Sequence, residues 1–363
     1  MAPSSKKTLF LLILLLTIIL ILNNQTGVGI QRISNPISIN KKDALQSLKS
    51  QYNISEIIAL VFYGRRSSVK ILLRYLEINL KKNGGILDKV TFAVHTSIKE
   101  DIDFIQEFVR KNNDSYEIKM YPITIAHEKS YFKELYSTLN NNDIVFKIDD
   151  DIVFIANGTF ELMLKEYLKR NDFILSANVI NHSQLSYVHA RQRAILPFYE
   201  VKPYNWIKAE NISEIDDTIV FNSTYGAYSS WWRNGKFAAV AHESFLYHAY
   251  NNSLDAYKFS IWDFNSVGYH ERVRINFIIF WGKNANKLAE SKAFTDETYL
   301  SIDMPKKLKK HTISLGSTLV AHFSYWVQIG YLSKTNILEK YDNFSLHYLN
   351  SSNTVSQIEN FLL

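Results

Sequence analysis

The stretch Asp143-Ile-Val-Phe-Lys-Ile-Asp149-Asp150-Asp151-Ile-Val-Phe-Ile155 determines how the rest of this chain is interpreted. An apolar, β-branched run leads into three consecutive carboxylates, and a second apolar run follows them. Adjacent carboxylates repel one another, and a carboxylate that is desolvated without a partner shifts its pKa upward and tends to neutralise. An acidic triplet inside a hydrophobic segment therefore needs a counter-charge, and a divalent cation is the simplest one.

If residues 143–148 form a strand, the triplet lies at its carboxyl end, where open α/β sheets place their ligand crevice. Side chains alternate along an extended chain, so Asp149 and Asp151 are predicted to point to the same side. Carboxylates without a nearby His or Cys favour Mg²⁺ or Mn²⁺. The alternatives are a strand end with solvated acids and a structural Ca²⁺ site, although the segment lacks the Gly-punctuated loop of oxygen ligands that Ca²⁺ prefers.

Length and composition limit the classes of protein that fit. The 363 residues suffice for one large α/β domain or two small ones, and a hydrophobic fraction of 47% argues against disorder. The net charge of +6 suits an anionic ligand. Because the basic residues are scattered rather than arranged in a stripe, no nucleic-acid partner is expected. Cysteine is absent, which excludes disulfides and thiolate metal sites.

The amino-terminal segment predicts membrane targeting. Lys6 and Lys7 precede residues 8–22, an uncharged and mainly apolar run. This run is short for a membrane span, which needs about 17–25 residues, but we favour an uncleaved signal-anchor over a cleaved signal peptide. Positive charge on its amino side predicts that residues 1–7 are cytosolic and that the rest is luminal. Asn-x-Ser/Thr sequons along the chain are typical of a luminal glycoprotein.

Between the anchor and residue 180, apolar runs and amphipathic runs alternate. The predicted strands are 57–62, 89–95, 116–123, 143–148 and 173–180, and the predicted helices are 67–82, 100–111, 131–139 and 159–169. Regular alternation of this kind predicts an α/β fold with a Rossmann-type, mostly parallel sheet flanked by helices. Beyond residue 181 the regularity fades, which predicts a loop-rich second half that binds an acceptor.

The first predicted strand ends in a basic turn, Tyr63-Gly64-Arg65-Arg66-Ser67, and Ser67 or Ser68 can cap the helix that follows. A strand, a basic turn and a helix amino-terminus form an anion-binding geometry. Arg65 and Arg66 could hold a diphosphate or a nucleotide there. The alternative is a pair of surface arginines in a turn.

With this alternation leading to Lys147-Ile-Asp-Asp-Asp151 behind an amino-terminal anchor, the chain resembles GT-A glycosyltransferases. The triplet is most similar to the Asp-Asp-Asp version of the DxD motif in the β-1,3-glycosyltransferase group of Golgi enzymes. The resemblance covers about residues 54–180. It implies a GT-A-like fold preceded by a single transmembrane helix, with Mn²⁺ (or Mg²⁺) as cofactor. It also implies transfer from a nucleotide-sugar donor, with a UDP-sugar favoured, to a hydroxyl of a glycan or glycoprotein acceptor.

The resemblance also implies roles for individual residues. Asp151 would ligate the metal, and Asp149 would contact the metal or the ribose of the nucleotide. GT-A enzymes often place a further ligand, commonly His, near the end of the domain, and a predicted strand from Ser314 runs into His322. The alternative for His322 is a core histidine. The residues expected to bind the nucleotide are Arg65, Arg66, Asp149 and Asp150.

Two acidic segments could supply a catalytic base. Asp296 and Glu297 follow Thr295 in a segment that resembles the acidic pair many such enzymes carry after the acceptor region. The alternative is a helix start capped by Thr or Asp. Glu271 is the other candidate, and its alternative role is a salt bridge with Arg272 or Arg274.

The predicted organisation is a cytosolic tail (1–7), a transmembrane signal-anchor (8–22), a stem (23–52), a GT-A-like catalytic domain (53–345) and a carboxy-terminal tail (346–363). Within the domain, residues 53–180 form the nucleotide-binding half and residues 181–345 the acceptor-binding half. A single-pass type II protein of the Golgi or endoplasmic reticulum membrane is therefore expected. The competing function is a catalytically inactive GT-A-like or lectin-like luminal binding protein.

Overall fold

The computed structural model describes residues 41–121, 131–170, 172–195, 230–266, 268, 272–291, 293 and 295–349. The chain divides into Met1–Ala44 and a compact unit, Leu45–Leu363, which carries the sheet and the site. The predicted anchor at residues 8–22 lies outside the described residues. In the part that is described, no helix combines the length and the apolar character that a bilayer crossing requires.

Nine strands and twelve α-helices are assigned within the described ranges. The strands are β1 Ile57–Tyr63, β2 Lys89–Val94, β3 Tyr116–Met120, β4 Ile144–Asp149, β5 Ile152–Ile155, β6 Ile174–Ile180, β7 Ile261–Asp263, β8 Phe277–Trp281 and β9 Thr312–His322. The helices are α1 Lys41–Tyr52, α2 Arg66–Asn79, α3 Lys99–Lys111, α4 Tyr131–Ser137, α5 Thr159–Lys169, α6 Leu185–Arg191, α7 Gly235–Tyr250, α8 Gly282–Ala285, α9 Asp296–Thr298, α10 Met304–Leu308, α11 Ile329–Leu332 and α12 Ile337–Leu349.

All nine strands belong to one sheet, with the order β3-β2-β1-β4-β8-β6-β9-β5 and with β7 paired to β9. Strands β1 to β4 are parallel to one another, as their alternation with helices predicts. Strand β8 then enters between β4 and β6 and is antiparallel to both. The predicted α/β class is confirmed, and the sheet becomes mixed beyond β4.

The core lies on both faces of this sheet. In β4, the side chains of Ile144, Val145, Phe146 and Ile148 are completely buried. A strand covered on both faces reads as a continuous apolar run rather than as an alternating one, which explains the unbroken hydrophobic segments before and after the triplet.

The second half is more regular than the sequence predicts. Residues 235–250, which were expected in a loop-rich region, form helix α7. The Asn234 side chain caps this helix by accepting hydrogen bonds from the N–H groups of Lys236 and Phe237, at 2.9 and 3.4 Å. Because α7 buries residues on most of its circumference, it lacks the clear apolar stripe by which an amphipathic helix is recognised.

Three further expectations need adjustment. Helix α2 begins at Arg66, and neither Ser67 nor Ser68 caps it, since Arg65 holds the capping position without a side-chain bond. Residues 41–52 form helix α1 within the segment that was expected to be a stem. Helix α12 continues to Leu349, past the predicted end of the domain at residue 345.

Candidate active site

The acidic triplet sits where β4 ends and the chain turns into β5. Asp149 is the last residue of β4 and is paired in register with Phe62 of β1, while residues 150 and 151 form the turn. Strand β5 then pairs with β9, and this register places His322 opposite Ile152. Asp149 and Asp151 therefore converge on His322 because the chain turns between them, rather than through simple alternation along one strand.

Asp149, Asp151 and His322 form a cluster in which one ligand atom from each lies within 4.8 Å of the others. His322 Nε2 is 3.3 Å from Asp151 Oδ1 and 3.9 Å from Asp149 Oδ2. Asp151 Oδ1 and His322 Nδ1 are buried and make no hydrogen bond with any part of the chain that the structure describes. Such orphaned atoms are costly unless a further group satisfies them.

A divalent cation fits this donor set. Carboxylate oxygen suits Mg²⁺ and Mn²⁺, and the imidazole nitrogen of His322 is a ligand that transition-metal ions accept. An octahedral ion with bonds of about 2.1 Å keeps neighbouring ligand atoms about 3 Å apart, close to the spacing between Asp151 Oδ1 and His322 Nε2. This Asp-Asp-His group could therefore hold a divalent metal, and it joins three residues that the sequence nominated separately.

Asp151 is completely buried, and its two oxygens have different neighbours. Asp151 Oδ2 accepts hydrogen bonds from Ser324 N at 3.0 Å and Ser324 Oγ at 3.3 Å, and Arg65 Nη1 lies 2.9 Å away. Burial opposes ionisation of Asp151, but the charges of Arg65 and His322 and the Ser324 N–H together hold its pKa below the ordinary range. Asp151 is accordingly a carboxylate at neutral pH.

Asp150, the middle carboxylate, is bound by the turn after β1. Asp150 Oδ2 accepts from Gly64 N at 2.7 Å, and Asp150 Oδ1 accepts from Arg65 Nε at 2.9 Å and Nη2 at 2.5 Å. Burial raises the pKa of Asp150 to about 6 against the opposing effect of Arg65. Arg65 and Asp150, both expected to bind a nucleotide, thus bind each other. Arg66 lies against α3, where its Nε is 3.7 Å from Asp101 Oδ1.

A cavity of about 340 Å³ opens beside the triplet. It contains the metal-side residue Asp149 and both residues of the acidic pair, Asp296 and Glu297, that the sequence nominated as bases. Its full lining is Phe62, Arg65, Tyr131, Phe132, Lys147, Asp149, Asp150, Ile275, Asn276, Thr295, Asp296 and Glu297. The lining therefore combines aromatic side chains with many charged ones.

The two residues of the acidic pair have different partners. Thr295 caps helix α9 by accepting from Thr298 N at 3.1 Å, as its sequence predicts. Asp296 Oδ2 accepts a hydrogen bond from the Tyr136 hydroxyl at 3.1 Å, and burial raises the pKa of Asp296 against the nearby charge of Lys147. Glu297, in contrast, is held in ion pairs.

Two arginines hold Glu297. Arg272 Nε is 2.9 Å and Arg274 Nη1 is 3.1 Å from Glu297 Oε2. The Arg274 guanidinium also lies over the rings of Trp232 and Tyr325, at 4.8 and 5.3 Å from their centroids. Burial raises the pKa of Glu297 while Arg274 and Arg272 oppose the shift. The other sequence candidate, Glu271, lies outside the described residues.

Lys147 lines the pocket but was not predicted from the sequence to be a site residue. Lys147 is buried at the floor of the pocket, where its ammonium donates to Asp149 Oδ1 and, at 2.9 Å, to Ile275 O. Burial lowers the pKa of Lys147, but the charges of Asp149 and Asp296 outweigh that effect and raise it. Its position two residues before Asp149 on β4 puts it on the same face of the strand, a signal that was present in the sequence.

Asn276 and Tyr325 were also missed. Asn276 Nδ2 donates to Asp149 Oδ2 at 2.8 Å, and Tyr325 OH donates to Asn276 Oδ1 at 3.3 Å. The Tyr325 ring lies 4.6 Å from the ring of His322. These contacts link the metal-side carboxylate to the segment that carries His322, and no local sequence pattern announces them.

Comparison by sequence gives no match for this chain. No family model matches it, and no curated protein sequence matches it. Among solved structures, it is similar to the crystal structure of 4-diphosphocytidyl-2C-methyl-D-erythritol synthase from Anaerococcus prevotii. That similarity has 12% sequence identity and a TM-score of 0.39, and it covers 81% of this chain and 98% of that chain. A similarity at this level supports no inference about shared function.

Proposed function

We propose that this protein is a metal-dependent glycosyltransferase that moves a sugar from a nucleotide-sugar donor to a hydroxyl of a glycan or glycoprotein. One observation carries the proposal: Asp149, Asp151 and His322 converge into a group that could hold a cation, beside a pocket lined by the Asp296–Glu297 pair. A site for a diphosphate-bound cation and a carboxylate with a raised pKa are the two components that such a transfer requires.

On the donor side, Asp149, Asp151 and His322 would hold Mn²⁺ (or Mg²⁺). When bound, this ion would supply Lewis-acid stabilisation of the charge that builds on the leaving diphosphate. Lys147 keeps Asp149 in place through its hydrogen bond to Oδ1, and Asn276 does so through Oδ2. Phe62 and Tyr131 contribute aromatic side chains to the lining of the pocket.

On the acceptor side, Asp296 is the proposed general base. Its Oδ2 accepts only a neutral hydroxyl hydrogen bond, and its raised pKa suits proton transfer better than that of an ordinary aspartate. Glu297 is bound by Arg272 and Arg274, so its charge is already neutralised and its oxygens are engaged. Asp296 would take the proton of the acceptor hydroxyl, and Glu297 would fix the segment that carries Asp296.

The proposed donor is a UDP-sugar and the proposed place of action is the lumen of the Golgi or the endoplasmic reticulum. Both rest on the resemblance of the triplet to the DxD motif and on the charge pattern around residues 8–22. The proposed organisation remains an anchor, a stem and a catalytic domain with donor-binding and acceptor-binding halves.

Calorimetric titration of UDP into the purified full-length protein tests the proposal. With Mn²⁺ present we expect saturable binding, and with EDTA we expect the affinity to fall at least tenfold, about 1.4 kcal/mol. Asp151→Asn should abolish the Mn²⁺-dependent part because it removes the carboxylate that faces His322. Asp255→Asn is the matched control, since Asp255 is 84% exposed and pairs with Lys258 on the surface.

Donor hydrolysis and transfer assays then separate the enzyme from the lectin-like alternative. Metal-dependent UDP binding without hydrolysis or transfer across a panel of UDP-sugars and acceptors would favour the binding protein. No UDP binding under any condition, by protein that unfolds cooperatively, would contradict the UDP-sugar proposal.

A further inference from the structure

Arg65 is bound to the acidic triplet through all three of its guanidinium nitrogens. Nε and Nη2 donate to Asp150 Oδ1 at 2.9 and 2.5 Å. Nη1 lies 2.9 Å from Asp151 Oδ2 and 3.3 Å from Ser324 Oγ. A phosphate-binding arginine usually offers two parallel N–H groups to its ligand. Here each of the three nitrogens already faces a carboxylate of the chain itself, although the side chain is 38% exposed and lines the pocket.

The two oxygens of Asp151 are consequently in different states. Oδ2 is saturated by Arg65 and by the N–H and hydroxyl of Ser324. Oδ1 makes no hydrogen bond within the described part of the chain and faces His322 Nε2 at 3.3 Å. Because the side chain is completely buried, the carboxylate cannot exchange its two oxygens without breaking the contacts on Oδ2.

We propose that Arg65 is a positioning residue of the metal site rather than a ligand of the diphosphate. It holds Asp151 by Oδ2, so that Oδ1 alone is presented to the cation, and Ser324 assists from the other segment. This inference rests on the cation site of the proposed function and deepens it. It divides the triplet into two outer carboxylates that face the cation and a middle one that anchors the arginine.

The role of Asp150 follows from the same contacts. Asp150 is 3% exposed and binds both Gly64 N and Arg65, so it ties the turn after β1 to the end of β4. A lysine in place of Arg65 would keep the charge, but its single ammonium could not span Asp150 and Asp151 in a fixed plane. The proposed role therefore depends on the shape of the guanidinium and not on its charge alone.

A purely electrostatic effect of Arg65 and a positioning role predict different Mn²⁺ affinities for variants of Arg65. If the positive charge only repelled a nearby cation, then Arg65→Gln would strengthen Mn²⁺ binding and Arg65→Lys would leave it unchanged. If Arg65 positions Asp151, Arg65→Lys weakens Mn²⁺ binding although the charge is retained. Partners that orient metal ligands typically contribute 10–100-fold in metal affinity.

The experiment measures Mn²⁺ affinity of the full-length protein without nucleotide, from the electron paramagnetic resonance signal of free Mn²⁺. We expect Arg65→Lys to weaken binding about 10- to 100-fold. Ser324→Ala, which loses the hydroxyl but keeps the N–H, should weaken it about threefold. Arg110→Lys is the control, because Arg110 is 69% exposed and pairs with Glu107 on the surface, and it should stay within twofold of the wild type.

Thermal unfolding in EDTA checks the fold of each variant. Should Arg65→Lys not fold, Arg65→Gln decides in its place, since it removes the guanidinium from Asp151 while leaving all three carboxylates intact. Equal Mn²⁺ affinity of wild type and of the folded variant would overturn the inference and leave the proposed metal site standing. Absence of Mn²⁺ binding by the wild type would overturn both.

Titration of pyrophosphate at saturating Mn²⁺ is the second arm. If Arg65 were a phosphate ligand, Arg65→Lys would bind Mn²⁺ normally and pyrophosphate weakly, and that result would refute the positioning role. The inference predicts the reverse: weak binding of Mn²⁺ and near-normal binding of pyrophosphate once the metal is saturating. Neither arm requires turnover, so an inactive but metal-binding protein would refute only the proposed function.

Discussion

Two groups of carboxylates face the same pocket, and the chain holds them in different ways. In the triplet, Arg65 occupies the middle carboxylate and one oxygen of Asp151, which leaves Asp151 Oδ1 buried beside His322. In the acidic pair, two arginines occupy Glu297, whereas Asp296 receives a single side-chain hydrogen bond, from Tyr136. Within the described residues, Asp150 and Glu297 have both oxygens engaged, whereas Asp151 Oδ1 makes no hydrogen bond and Asp296 accepts from Tyr136 and from the Glu297 N–H.

The two groups differ in how their surroundings shift the pKa of an aspartate. At the triplet, the charge of Arg65 and the Ser324 N–H keep Asp151 ionised although burial opposes ionisation, and an ionised carboxylate suits a metal ligand. At the pair, burial raises the pKa of Asp296, which suits a group that accepts and releases a proton. Aspartates in the two groups are therefore suited to two different kinds of chemistry, because their neighbours differ.

The largest expected effect is on the rate of transfer, when Asp296 is replaced and the triplet is left unchanged. Asp296→Asn keeps the shape of the side chain but cannot accept a proton, so we expect the rate of transfer to fall about 10²–10⁴-fold. Binding of Mn²⁺ and UDP should stay within twofold of the wild type, because the metal-side residues are unchanged. Steady-state transfer rates and calorimetry measure the two quantities. A variant that keeps its rate but loses Mn²⁺ would reverse the assignment of the two groups.

A smaller effect is expected within the acidic pair itself. Glu297→Gln leaves Arg274, whose side chain is 12% exposed, without its carboxylate partner. Hydrogen bonds to charged groups contribute about 1.5–3 kcal/mol, so the free energy of unfolding should fall by about 2 kcal/mol. Chemical denaturation measures this loss. We expect Asp296→Asn to lose more activity and Glu297→Gln to lose more stability. A larger loss of catalytic rate in Glu297→Gln, at equal folded fraction, would instead favour Glu297 as the base.

The smallest effect concerns the pH dependence of transfer. Asp296 acts as a base only when it is deprotonated, so activity is lost as the pH falls through its raised pKa. The Tyr136 hydroxyl favours the carboxylate form, and Tyr136→Phe removes that hydrogen bond and raises the pKa of Asp296 further. At about 0.5–1.5 kcal/mol for one hydrogen bond, the acid limb should move up by about 0.5–1 pH unit.

Profiles of transfer rate against pH measure this shift. Tyr257→Phe is the control, because the Tyr257 hydroxyl is also buried but donates to the backbone carbonyl of Ala194. An acid limb that moves to lower pH in Tyr136→Phe, or that moves equally in both variants, would contradict the role of Asp296.

Much of the amino-terminal half was predictable from the sequence. Strands β1, β2, β4 and β6 and helices α3 and α5 begin or end within about two residues of their predicted positions. Their apolar runs are unbroken or strongly periodic, and turns with Gly or Asn punctuate them. His322 was nominated from the resemblance, at the end of a long apolar strand, and the structure places its Nε2 3.3 Å from Asp151 Oδ1.

Other features have no local signal. Strand β8 is an apolar run that enters between β4 and β6, and only long-range pairing determines that position. Helix α7 is apolar on most of its surface, so its period is obscured. The partners Ser324, Asn276 and Tyr136 are ordinary polar residues whose neighbours in space are distant in sequence.

The sequence alone determined the α/β class and the need for a counter-charge at the triplet. Both follow from local chemistry, namely the period of apolar residues and the repulsion of adjacent carboxylates. Only the tertiary structure decided which oxygen of Asp151 faces His322 and which residue of the acidic pair is bound by arginines. It also decided that Arg65 binds carboxylates of the chain itself. Those choices depend on distances and burial between segments far apart in sequence, which no local pattern encodes.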